Sequence, residues 1–173
     1  MGELHDRAVE ELYETFDFLI NDYSREVFWD EVHTELDYFE GQIDPRTVPE
    51  YSDRGKQVGE MDVVLVKEME DEADWMKYFE VKPRRCGTTY AEDQTERAES
   101  FFGPRGWNVL TEVYRVPEWS DNWYDKQRDF TLEGIEQPEM DSSTKYDSGI
   151  EEADIDQYIT DVERELRDEL QEE

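Results

Sequence analysis

Two short apolar runs, MDVVLV at 61–66 and MKYFEVK at 76–82, constrain this chain more than any other feature. Both are rich in β-branched and aromatic residues and are too short for ordinary helices, so they read as buried strands. The charged connector KEMEDEADW between them predicts a hairpin. A third run, WNVLTEVYRV at 107–116, reads as a further buried strand. Between it and the second strand, Tyr90 to Phe102 has a helical pattern carried by Ala91, Ala98, Phe101 and Phe102. A strand, helix, strand succession of this kind suits a right-handed crossover between parallel strands.

Upstream, Ala8, Leu12, Phe16, Leu19, Ile20 and Tyr23 recur at spacings that predict an amphipathic helix from His5 to about Asn21. REVFWDEVHTELDYFEG then predicts a strand, or a strand with an irregular extension. Pro45, Pro49, Gly55 and Gly59 mark a loop over 42–59. The order helix, strand, strand, strand, helix, strand is an α/β pattern, and residues 1–130 are expected to form its single domain. Gly134, Pro138 and the polar stretch up to Gly149 predict a linker over 131–150. In 151–173, Ile155, Ile159, Val162, Leu166 and Leu170 draw one narrow apolar stripe along an acidic helix, read as docking on the domain in preference to self-association.

Charge argues against a core at first sight: 49 acidic against 18 basic residues leave a net −31, a balance common in disordered chains. Eight Phe, ten Tyr and five Trp offset it, because each can bury a large apolar area. No apolar run is long enough for a membrane span, and MGELHDRAVEELYE has no apolar leader segment, so a soluble cytoplasmic protein is expected. The one cysteine, Cys86, excludes an internal disulfide and a thiolate metal cluster. Dispersed acid with only six lysines is similar to the surface of proteins from salt-accumulating halophiles, such as a haloarchaeon or its virus. In molar salt, screening within about 3 Å relieves the self-repulsion of such a surface. The competing explanation is functional acid, as in a protein that imitates the DNA backbone.

The chemistry-bearing residues sit on the hairpin. Glu80 and Lys82 share one face of their strand while Val81 points into the other layer. Pairing of the two strands brings Asp62 beside Glu80, whereas Glu60 reads as a surface acid next to a turn. Mg²⁺ or Mn²⁺ is a hard cation that takes one or two carboxylates plus substrate phosphate and water, and Asp62, Glu80 and the Val81 carbonyl suit it. Such an ion polarises a phosphodiester and activates water, with Lys82 orienting that water or stabilising the charge that builds on phosphorus.

GEMDVVLV followed by YFEVK resembles the PD-(D/E)XK nuclease superfamily, in particular its archaeal Holliday-junction resolvase and RecB-like branches. The resemblance covers roughly residues 8–116. It matches the family's metal-binding Asp to Asp62 and its E-X-K pair to Glu80 and Lys82. It implies a central mixed β-sheet flanked by helices, as in restriction endonucleases, and a homodimer by analogy with resolvases. It also implies an acidic residue from the N-terminal helix, with Glu14 preferred over Glu10 and Glu11, and a Gln after the E-X-K strand, Gln94. Ala98 stands where the RecB-type Gln-X-X-X-Tyr has its Tyr.

Basic charge is concentrated around this motif. Residues 77–115 hold seven basic and six acidic side chains, against eleven and forty-three in the rest of the chain. Arg84 and Arg85 are the leading DNA-phosphate contacts, with Arg97 and Arg105 behind them. Trp107, Tyr90 and Trp119 read as core, His5 and His33 as incidental, and Cys86 as a small turn residue. The expectation is a metal-dependent deoxyribonuclease adapted to high salt. The alternatives are a non-enzymatic acidic interaction protein, a DNA mimic or inhibitor, and an inactive nuclease fold that binds DNA.

Overall fold

The computed structural model describes residues 3–23, 26–83, 89–117 and 122–138. Elements run in the order α1 (Glu3–Asn21), β1 (Glu31–Phe39), the short α2 (Tyr51–Arg54), β2 (Gln57–Lys67), β3 (Trp75–Pro83), α3 (Thr89–Phe102), a 3₁₀ turn (Gly103–Arg105), β4 (Asn108–Val116) and α4 (Trp123–Gly134). The strands form one mixed sheet in the order β1-β2-β3-β4. The first three make an antiparallel meander, and β4 pairs parallel to β3 after the α3 crossover. The α/β pattern, the hairpin and the parallel crossover pairing are those expected from the sequence. No helix among the described residues is long and apolar enough to cross a membrane.

The sheet separates two cores. On one face, Ala8, Leu12, Phe16 and Leu19 of α1 and Trp123 and Leu132 of α4 pack on Val63, Leu65, Phe79 and Val81. On the other, Ala98 and Phe102 of α3 cover Tyr38, Met61, Val64, Val66, Met76 and Tyr78. Strand alternation distributes Val63 to Val66 between the faces, which is why their run is apolar without a break.

Alternation fails at one place, and it matters for the site. Met61 should share a face with Val63 but packs with Val64, while on β1 Val32 and Leu36 lie on opposite faces despite an even spacing. Both breaks meet where Thr34↔Val63 gives way to Leu36↔Met61, which sets Glu35 opposite Asp62. Glu35 has φ +52°, a left-handed conformation that disfavours L side chains and turns the strand.

Two expectations need correction. Residues 123–134 form α4, which the weakening pattern beyond Pro117 concealed, and the domain therefore passes residue 130. Thr131, Leu132 and Ile135 are buried, because Phe130 stacks on Tyr114 at 3.9 Å and carries the helix end onto the sheet. The linker read over 131–150 thus begins with helix. Gly134 allows this close approach, since a Cβ there would stand 3.0 Å from Phe79 and 3.2 Å from Phe16. Residue 59, read as loop, belongs to β2, which starts at Gln57. The helix expected over 151–173 lies outside the described residues.

Candidate functional site

The β2–β3 ladder runs from Lys67↔Trp75 to Val63↔Phe79 and stops there. The next positions on the two strands are Asp62 and Glu80. Instead of a further backbone pair, the Val81 N–H donates to Asp62 Oδ2 at 2.9 Å. The carboxylate thereby pins the E-X-K strand while the strands diverge. In a strand, the N–H and C=O of one residue leave by the same edge, so the Val81 carbonyl faces the same gap. The other edge of β3 stays paired, with Glu80↔Val113 and Lys82↔Arg115.

The divergence opens a cleft of about 340 Å³ lined by residues including Glu60, Asp62, Glu80, Lys82, Gln94 and Arg97. Lys82 Nζ lies 3.2 Å from Glu80 Oε1 and 4.5 Å from the centre of the Tyr90 ring. The Tyr78 hydroxyl donates to Glu80 Oε2. Asp62, Glu80, Lys82 and Gln94 are each less than 9% exposed. Burial, reinforced by the charge of Asp62, pushes the Glu80 carboxyl up to about 7, against the opposing pull of Lys82 and His5. Glu60 is also raised, by burial and then by Asp37, Asp62 and Glu35. Negative charge is therefore crowded where the strands part, an arrangement that favours a cation.

Helix α1 contributes a residue that the sequence reading set aside. His5 is 6% exposed, and its Nε2 stands 3.6 Å from Asp62 Oδ2 with no hydrogen-bond partner. Asp62 draws the imidazole above its ordinary pKa while burial opposes the rise. Glu14, the acid expected from this helix, is exposed and does not line the cleft. The reason is helical geometry: Glu14 follows His5 by about two and a half turns and so faces the opposite side. A signal for His5 existed, because 5, 8, 12, 16 and 19 continue the apolar stripe at spacings of three and four.

Gln94 and Arg97 line the cleft as expected of a site on α3. Arg105 does not; its guanidinium donates to the carbonyls of Phe101 at 2.7 Å and Glu40 at 3.3 Å. Arg84, Arg85, Cys86 and Trp119 lie outside the described residues. Glu60, read as a surface acid beside a turn, is exposed as expected but lies within β2, where it lines the cleft. Trp107 is buried, as expected, whereas Tyr90, read as core, is 62% exposed.

The donor set fits a divalent cation in part. Two carboxylates and a carbonyl edge converge, which is the share of ligands that proteins commonly give Mg²⁺. Among the described residues no three His, Cys, Asp or Glu side chains group closely enough to hold an ion by themselves. Asp62, Glu80 and Val81 would therefore hold it together with water and phosphate oxygen.

No family model, curated protein or solved structure matches this chain.

Proposed function

We propose that this protein is a divalent-metal-dependent deoxyribonuclease of the PD-(D/E)XK kind. One observation carries the reading: Asp62, Glu80 and Lys82 meet in a single cleft, with Asp62 locked to the E-X-K strand through the Val81 N–H. A bound Mg²⁺ or Mn²⁺ supplies phosphate polarisation and activation of water. Asp62 and Glu80 offer the anionic oxygens, and the Asp62 contact with Val81 fixes their relative position. Lys82, aimed into the cleft between Glu80 and Tyr90, offsets negative charge that develops on the phosphate. Gln94, buried on the facing helix, is placed to orient a water or a phosphate oxygen. His5 restrains Asp62 from the side of α1.

The test is cleavage of labelled linear, circular, single-stranded and four-way-junction DNA in molar KCl with Mg²⁺ or Mn²⁺. Glu80→Gln and Lys82→Ala should each lose activity by about a hundredfold or more, the scale on which such electrostatic groups act. Retention of full activity in both, in a preparation free of host nuclease, would overturn the reading. Inactivity of the folded wild type on every substrate would turn it toward a DNA-binding or DNA-imitating protein.

A further inference from the structure

Cations on this molecule fall into two groups. Arg46 is held by Asp44, Glu31 and Glu68, Lys67 by Asp30, and Lys77 by Glu112. In a chain with 49 acids such pairing is the expected fate of a basic side chain. Arg54, Lys56, Arg97 and Arg105 differ: like Arg115 and Lys126 elsewhere on the molecule, none has a carboxylate of a described residue within ion-pair distance. The three arginines donate to main-chain carbonyls instead, Arg54 to Pro49 O, Arg97 to Val58 O, and Arg105 to Phe101 O and Glu40 O.

The main-chain bonds around these four residues link them along one stretch of the molecule. The Gly41 N–H donates to Arg54 O, and the Glu40 N–H donates to Lys56 O while the Glu40 carbonyl accepts from Arg105. Two residues beyond Lys56, Val58 receives Arg97 at the cleft wall. The result is a continuous strip from α2, past the ends of β1 and β2, to the cleft. Beside Lys56, Glu40 Oε1 accepts the Lys56 backbone N–H rather than pairing with a cation.

Two aromatic rings stand at the ends of the strip. Tyr51 is 89% exposed with the Arg54 guanidinium 5.9 Å from its ring centre, and Tyr90 is 62% exposed beside Lys82 in the cleft. Large exposed tyrosines next to cations, Arg54 without a carboxylate partner and Lys82 paired with Glu80, are what a flexible strand needs: planar faces for unstacked bases and positive charge for its phosphates. A duplex hides its base faces and would leave both rings unused.

We infer that the strip from Tyr51 through Arg54, Lys56 and Arg97 to Tyr90 binds a single strand of DNA and leads it into the Asp62–Glu80 cleft. The inference deepens the nuclease reading by naming the substrate class, and rests on it for the strand's destination.

Fluorescence anisotropy with a labelled oligothymidylate, in chelator so that no cleavage intervenes, tests it. The full chain should bind the single strand at least tenfold more tightly than a duplex of equal length. Tyr51→Ala and Tyr90→Ala should each weaken binding about fivefold or more with an unchanged salt slope, as loss of one stacked base does. Lys56→Gln combined with Arg97→Gln should lower the salt slope by about 1.4, two phosphates at about 0.7 each. Lys126→Gln on α4 is the control and should change nothing, and circular dichroism verifies each fold. Equal affinity for duplex, no measurable binding of the single strand, or strip variants indistinguishable from the control would each overturn the inference. Failure of the two readings is separable. Strip-dependent binding without metal-dependent cleavage would sink the nuclease and keep the strip, whereas cleavage insensitive to the strip variants would do the reverse.

Discussion

The two ends of the β2–β3 hairpin obey opposite rules. From Val63 to Val66, opposite Met76 to Phe79, the ladder is complete and the apolar side chains are almost fully buried between helices. One residue further, Asp62 and Glu80 occupy positions where the same ladder would continue, and the strands part around them. The first end gains stability from apolar burial. The second gives some of it up by holding carboxylates and an ammonium away from water, where charge is costly unless paired. A single pair of strands thus holds the fold at one end and presents chemistry at the other.

That contrast can be broken from either side. Leu65→Ala, at the closed end, should lose about 2–5 kcal/mol in denaturant unfolding, as buried Leu truncations do, while the activity per folded molecule stays near wild type. A loss of specific activity as large as that of Glu80→Gln would show that the two ends are not separable.

Glu80→Gln sharpens the comparison through pH. Because the Glu80 carboxyl is raised from 4.5 to about 7 in the folded chain, the native state holds a proton that the unfolded state releases between those values. Its stabilising contribution is therefore full below about pH 4.5 and is lost as pH rises through about 7. Measured from pH 5 to 9, the stability difference should move in favour of Glu80→Gln by on the order of 2–3 kcal/mol. An unchanged difference would mean that Glu80 is not buried as a charge.

A third variant probes the wall between the ends. A Cβ at Gly59 would stand 2.8 Å from the Tyr38 hydroxyl, so Gly59→Ala should destabilise by about 1–3 kcal/mol as overpacking does. Because Tyr38 Cε1 and Cζ would stand at 2.9 Å as well, adding Tyr38→Phe should recover little of the loss; a full recovery would place the clash at the hydroxyl alone. The smallest effect belongs to His5→Gln. The His5 pKa is raised above 6.5, so its contribution is present below that pH and lost as pH rises through the folded value. A stability decrease of less than about 1 kcal/mol at pH 6, vanishing by pH 9, is expected on the scale of partly screened charge pairs.

The strands and the central triad were legible because their signals are local. Alternation puts Glu80 and Lys82 on one face, and a short connector forces Asp62 alongside, so a hairpin suffices to assemble them. Helix α4 was not legible because its inward row is Trp123, Gln127 and Thr131, spaced by four but polar at two positions. Gln127 is buried by donating to the Ala8 carbonyl, and Thr131 by bonding back to Gln127 O at 2.6 Å, so neither marks an apolar stripe. His5 was missed for a different reason. It meets Asp62 only through the packing of α1 on the sheet, and its place on the stripe looks like one more core position. The strip cations were partly seen as Arg97 and Arg105, whereas Arg54 and Lys56 lie in what read as an unpatterned loop.

Helix α4 also governs when the protein becomes complete. It lies against the first turns of α1, where Arg7 donates to the Tyr124 hydroxyl at 2.8 Å and Gln127 reaches the Ala8 carbonyl, so the helix that carries His5 is braced by residues translated 117 or more positions later. The meander with Asp62 and Glu80 can pair as soon as it leaves the ribosome, since its contacts are short in sequence. The brace on the helix that carries the imidazole comes only with α4. A growing chain therefore carries the acids before it carries the finished site.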